Sequence, residues 1–156
     1  IVDTPSVVEA LDGGCLRCYI ADFPEPALIG RDDVILMPHI GASTDEAEDN
    51  CAIMAADQLQ DFLENGNIRN SVNFPTLMLE PAAGVRLAIS NNNVPKILGN
   101  LLSLLADENI NVIDMLNKSR NDIAYSLIDV ECVPCDESLE KMRAVEGVIN
   151  VRVING

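Results

Sequence analysis

Hydrophobic and polar positions along the 156 residues change rhythm near residue 80. In the first half, Val7, Val8, Ala10 and Leu11 follow Thr4-Pro5-Ser6, whose proline suits a first helical turn, and Gly13-Gly14 ends that helix. Ile1-Val2 before it reads as the end of a strand. Apolar runs at 18–21 and 34–37 have the unbroken character of buried strands in a parallel sheet. Between them, Asp22-Phe23-Pro24-Glu25-Pro26 is a rigid extended loop, because each proline fixes its own φ and restricts its predecessor. Ser43 forms a capping box with Glu46. After it, Ala47, Cys51, Met54, Ala55, Leu59, Phe62 and Leu63 recur at helical spacing and predict one long helix over 44–65. Gly66 closes it, 67–73 reads as a strand, and 74–83, with two prolines, reads as a linker. Strand, helix, strand, loop, strand is the order of a doubly wound α/β sheet whose first βαβ units are missing.

The second half carries a whole pattern. Residues 85–90 alternate as a strand. Asn93 is a candidate N-cap with Pro95 in the first turn, and Ile97, Leu98, Leu101, Leu102, Leu104 and Leu105 form one helix face. Residues 112–117 and 123–130 are strands joined by the turn Ser119-Arg120-Asn121-Asp122. Asp136 opens a further helix with Leu139, Met142 and Val145 inward, Gly147 ends it, and 148–153 is the last strand. This βαββαβ order predicts a ferredoxin-like layer of two helices on a four-stranded antiparallel sheet. Such a layer leaves the sheet's second face and two edges open to a partner.

Composition narrows the partners. The net charge is −15, and residues 1–80 account for −12 of it, with 15 acids against 3 bases. Such a surface repels phosphate backbones and anionic lipid, which argues against nucleic acid and membranes as partners. No apolar run approaches the roughly 18–20 residues of a membrane span, and no signal peptide opens the chain. Five cysteines without secretory context read as reduced thiols of a cytoplasmic protein. Cys15/Cys18 and Cys132/Cys135 have C-x-x-C spacing, but more than a hundred residues separate the pairs, against roughly 12–20 in zinc ribbons, so no metal is expected. Asp45, Glu46, Glu48 and Asp49 read as a solvated helix start, favoured by the helix dipole.

The candidate chemistry centres on His39, the one histidine in the sequence. It stands at the end of a predicted strand and before a glycine turn and a helix N-terminus, a setting suited to proton transfer beside an anionic ligand. The plainer reading is a structural histidine at a strand end.

Several segments together resemble the closing part of the D-2-hydroxyacid dehydrogenases: Ile1-Val2-Asp3-Thr4, Asp22-Phe23-Pro24-Glu25-Pro26, the run from Val34 through Pro38-His39-Ile40-Gly41-Ala42-Ser43-Thr44 to Ala47, and Asn73-Phe74-Pro75. The βαββαβ unit, with Asn91-Asn92-Asn93-Val94-Pro95 at its first strand-to-helix turn, resembles an ACT regulatory domain. The resemblance implies an α+β chain. Its ferredoxin-like ACT domain, 84–156, is preceded by the closing segment of a Rossmann-like NAD-binding domain, 1–43, and by an inter-domain helix with a return strand of the substrate domain, 44–78.

The function implied is an NAD-dependent oxidoreductase acting on a small 2-hydroxy acid. His39 takes the general acid/base role and Glu25 that of the carboxylate on its other ring nitrogen. Asp22, His39, Ile40, Gly41 and Ala42 line the nicotinamide, although the loop here is one or two residues shorter than the usual pattern. The family's glycine-rich dinucleotide loop and catalytic arginine lie upstream of the matching segment, so these 156 residues alone are expected to be inactive.

For the ACT part the resemblance implies L-serine held by Asn91, Asn93 and Asn111 between two subunits of a homo-oligomer. An amide offers both an acceptor for the ammonium and donors for the carboxylate. Two positions depart from that pattern: Asn91 stands where a histidine occurs in serine-sensitive members, and Lys96 where ACT domains usually have glycine. The plainer reading gives the asparagines turn and cap roles only. From a different class, the alternative is a non-catalytic amino-acid-binding and dimerisation module.

Overall fold

The computed structural model describes residues 2–80 and 84–155. The chain divides into two compact units, Ile1–Cys51 and Ala52–Gly156. The strand end read at Ile1-Val2 and the last residues of the linker lie partly outside the described residues.

In the first unit, helix α1 (Thr4–Asp12) is capped by Asp3, whose side chain accepts from the Ser6 N–H, with Pro5 in its first turn. Strands β1 (Tyr19–Ala21) and β2 (Val34–Leu36) pair in parallel, with Tyr19 opposite Val34 and Ala21 opposite Leu36. A one-turn 3₁₀ helix, Pro26–Leu28, lies between them and buries Leu28. The sequence reading expected buried strands, and here the structure differs. Ile20 and Ile35 are 57% and 54% exposed, because among the described residues nothing covers that face of the two-stranded sheet. Helix α2 (Asp45–Asn65) spans the division between the units and buries none of its residues, so the periodic apolar stripe is real but faces solvent. Thr44 rather than Ser43 caps it, its hydroxyl accepting from the Ala47 N–H at 3.2 Å.

The second unit is the βαββαβ layer. Its elements are β3 (Val85–Asn92), α3 (Ile97–Asp107), β4 (Val112–Arg120), β5 (Ile123–Val130), α4 (Asp136–Ala144) and β6 (Val148–Asn155). The antiparallel strand order β4-β5-β3-β6 is that of the ferredoxin-like fold. The β4–β5 hairpin closes more tightly than predicted: β4 runs to Arg120, leaving only Asn121-Asp122 as the turn. Asn121 takes the positive φ of 53° that such a turn requires. Leu87 and Ile89 of β3 and Ile128 and Val130 of β5 meet Ile97, Leu101 and Leu105 of α3 and Leu139 and Met142 of α4 in the main core.

The second face of the sheet is not open. A strap of residues 66–79 crosses it and forms a smaller core, in which Ile68 and Leu77 pack on Ala88, Tyr125, Leu127 and Ile154. Only Ile68 and Leu77 pair in a β-bridge, so 67–73 is not the strand its pattern suggested. Polar anchors fix the strap. Lys118 Nζ donates to the Thr76 carbonyl at 3.0 Å, and Arg120 Nη1 to that of Ser71 at 3.0 Å. Tyr125 donates its hydroxyl to the Gly66 carbonyl at 2.8 Å, and burial pushes the phenol up to about 12.

Arg86 and Asp129 form the deepest anchor, 6% and 2% exposed on neighbouring strands. Two bonds, Nε to Oδ1 at 2.6 Å and Nη2 to Oδ2 at 2.8 Å, make the pair bidentate. The remaining N–H groups donate to the carbonyls of Asn65, Leu79 and Glu80. All five guanidinium donors are thus used, which is the condition under which a buried ion pair offsets its own desolvation.

Gly66 begins the strap at φ +73°, and a Cβ there would lie 2.9 Å from both Ile154 Cδ1 and Leu127 Cδ2. Gly66→Ala is therefore expected to lower stability by about 2–4 kcal/mol, the left-handed cost plus overpacking. A urea midpoint within error of the parent chain would show that the strap start adapts freely.

Candidate functional site

The parallel register of β1 and β2 brings their carboxyl ends side by side, and the ladder runs one step further through the Met37 N–H to the Ala21 carbonyl at 3.0 Å. Asp22 follows one strand, and Pro38-His39 follows the other. His39 Nδ1 lies 2.7 Å from Asp22 Oδ2. An ionised carboxylate only accepts, so Nδ1 carries the proton and Nε2 is left with a free lone pair. Phe23 packs against the imidazole, with ring centroids 4.6 Å apart. His39 and Asp22 are 59% and 47% exposed, so the pair is an orienting contact and adds little to stability. The carboxyl ends of parallel strands are where α/β sheets bind ligands.

The carboxylate on the histidine is thus Asp22, not Glu25 as the resemblance implied. Glu25 starts the 3₁₀ turn, its carbonyl accepting from the Leu28 N–H. Glu25 is exposed and lines a shallow depression together with Thr4, Val8 and Glu9 of α1, and no hydrogen bond from it to His39 is found among the described residues. The shortened loop explains the exchange: Asp22 stands directly at the strand end, whereas Pro24 and Pro26 carry Glu25 toward α1. The signal was readable in principle, since a register pairing Ala21 with Leu36 already sets Asp22 beside the residues after β2. Phe23, which packs on the imidazole, carries no sequence signal beyond its place in the loop after β1.

Ile40, Gly41 and Ala42 form an exposed turn closed by the Ser43 N–H on the Ile40 carbonyl at 3.0 Å. A Cβ on Gly41 would meet nothing within 4 Å, so open space adjoins His39, and Ile40, 59% exposed, offers an apolar surface beside it.

In the second unit, Asn91 and Asn93 sit at the end of β3. Asn91 is buried and donates to the Asn92 carbonyl at 2.7 Å, while Asn93 ties the turn to the β4–β5 hairpin through the Asn121 carbonyl at 3.0 Å. The side-chain carbonyls of both remain without a donor among the described residues. Asn111 precedes β4, at the level of the Val85–Val130 pair, and so lies at the opposite end of the sheet from the Asn91–Asn93 turn. One chain does not bring the three amides together. Helix α3 begins later than Asn93 and Pro95 suggested, at Ile97, with Lys96 at φ +76° as its N-cap. Lys96 holds the left-handed conformation that glycine adopts at least cost, which accounts for glycine being usual there.

No family model matches the chain. Over 99% of its length it is 34% identical to D-3-phosphoglycerate dehydrogenase of Haemophilus influenzae and 32% identical to that of Escherichia coli K12. A putative D-3-phosphoglycerate dehydrogenase of Schizosaccharomyces pombe is also 32% identical over 99% of the chain. Among solved structures, the ACT domain of GTP pyrophosphokinase from Chlorobium tepidum aligns along its whole length with 47% of the chain, at a TM-score of 0.39 and 13% identity. The chain spans about 40% of the length of its curated relatives. From end to end, the chain is thus similar to D-3-phosphoglycerate dehydrogenases of bacteria and yeast.

Proposed function

We propose that the chain is the C-terminal part of an NAD-dependent enzyme that oxidises 3-phospho-D-glycerate to 3-phosphohydroxypyruvate, opening L-serine biosynthesis in the cytoplasm. The observation that carries this reading is the His39–Asp22 pair at the carboxyl ends of two parallel strands, in a chain matched end to end by such dehydrogenases. His39 Nε2 accepts the proton of the substrate's C2 hydroxyl, and Asp22 stabilises the imidazolium that results. NAD, when bound, supplies the acceptor for the hydride that leaves C2. Ile40, Gly41 and Ala42 line the nicotinamide, and Phe23 limits rotation of the imidazole. Exposed Ile20 and Ile35 are sheet-face positions fit to pack against further elements of a Rossmann-like sheet.

A chimera tests the reading. The preceding 60% of the Escherichia coli relative, joined to this chain, is expected to produce NADH when given 3-phospho-D-glycerate, whereas the 156 residues alone produce none. A folded, NAD-binding chimera without turnover overturns it.

The βαββαβ unit is the regulatory ACT domain of that enzyme, and it pairs two subunits. Pairing that sets the Asn91–Asn93 turn of one subunit beside Asn111 of its mate would enclose L-serine, with the free amide carbonyls accepting from its ammonium. Sedimentation is expected to show a dimer that millimolar L-serine tightens, since a ligand shifts an equilibrium only by its differential affinity. Asn93→Ala should abolish the serine heat in calorimetry. An unchanged heat rejects the site, and a monomer at every concentration rejects the assembly. A stand-alone amino-acid-binding module is the second reading, and failure of the chimera with serine binding intact favours it.

A further inference from the structure

Between the strap, the end of α2 and the second face of the sheet lies a cavity of about 290 Å³. This is at the small end of the roughly 300–1,000 Å³ typical of ligand pockets. Phe62 and Phe74 provide apolar wall, and the small side chain of Ala88 leaves the floor open. Strand register sets a polar row across that floor. Ser90 pairs with Asn150 and Ala88 with Arg152, so Ser90, Asn150 and Arg152 share one face of β3 and β6, and all three line the cavity. Neither Ser90 nor Asn150 makes a side-chain hydrogen bond among the described residues, in contrast to Asn67 and Ser71 of the same cavity, which are committed to the strap.

Arg152 is the unusual member. Its guanidinium carbon stands 4.4 Å over the Phe62 ring, and Nη2 donates to the Phe62 carbonyl. Its Nε is buried and has no hydrogen-bond partner. Among the described residues no carboxylate pairs with it, in a chain that carries 25 acids against 10 bases. The cavity's other cation, Arg69, is already neutralised by Asp61 at 2.9 Å. A buried donor on an unpaired cation is costly when left unsatisfied, and an anion placed there removes that cost.

We propose that this cavity binds a small organic carboxylate, its carboxyl group on Arg152 with Ser90 and Asn150, and its apolar body between Phe62 and Phe74. One cation with a largely apolar wall suits a monoanion with a hydrophobic body and not a phosphate dianion. The site lies within one chain, with its Ser90 one residue before the Asn91–Asn93 turn, and it stands apart from the dehydrogenase reading.

Benzoate, its neutral isostere benzamide, and inorganic phosphate serve as probes on the full 156-residue chain, read by two-dimensional nitrogen–proton NMR. The Arg152 Nε–H resonance and the amides of Ser90 and Asn150 are expected to move with millimolar benzoate. Benzamide should need at least about tenfold more, and phosphate should leave these signals in place. Arg152→Met, checked for native dispersion, should weaken benzoate at least about tenfold, and Ser90→Val should weaken it less. Equal response to benzoate and benzamide overturns the proposal. So does an unmoved Nε–H signal, or phosphate acting as well as benzoate. These comparisons on the unaltered chain decide the matter even if a variant fails to fold.

Discussion

His39→Ala, placed in the chimera with the Escherichia coli NAD-binding portion, is expected to lower turnover by about 10²–10⁴-fold, the usual worth of a positioned acid/base. NAD binding and the far-ultraviolet spectrum should stay as they were, because His39 is exposed and its removal opens no core. Steady-state NADH production from 3-phospho-D-glycerate gives the number, and activity within about threefold of the parent chimera would remove His39 from the chemistry. The two candidate carboxylates are separated by the same assay. Asp22 holds Nδ1 at 2.7 Å, so Asp22→Asn deprives the imidazolium of its counter-charge, whereas Glu25→Gln changes a side chain that makes no hydrogen bond to His39 among the described residues. Asp22→Asn is expected to cost more. The reverse order would return the orienting role to Glu25.

Arg86→Met is expected to be the most damaging change in the second unit, at about 3–5 kcal/mol, because it leaves Asp129 charged and alone at 2% exposure. It also frees the carbonyls of Asn65, Leu79 and Glu80. The double variant Arg86→Met/Asp129→Leu should recover most of that loss, since replacing both partners removes the stranded charge. Thermal unfolding measures both, with a drop on the order of 15 °C or more expected for the single variant. Amide exchange adds a local reading. The Ile68 and Leu77 N–H groups, each bonded to the other's carbonyl, should exchange faster once the anchor is gone. A single variant that loses less than about 1 kcal/mol would show that the strap holds without Arg86.

Local pattern alone determined much of this protein. Alternation in β3, the leucine face of α3 and the glycine after α4 each reflect one element's own geometry, and the βαββαβ order follows from them. His39 was legible for the same reason, as a histidine ending a strand before a glycine turn. What only the tertiary structure decided involves residues distant in sequence.

Asp22 became the histidine's partner through the β1–β2 register, and two prolines turned Glu25 away. The strap on the second sheet face is illegible in the sequence, where 67–73 reads as a strand and 74–83 as a linker; its apolar residues Ile68, Phe74 and Leu77 are spaced by where the sheet below has room. Nothing in the sequence marks Arg86 and Asp129 as buried, since burial comes from whatever crosses above a residue, and period-two alternation cannot say whether that is water or chain. The apolar stripe of α2 shows the converse: the period is present, but a stripe is buried only where another surface meets it, and among the described residues Phe62 alone of the stripe stacks on a side chain of the sheet, that of Arg152.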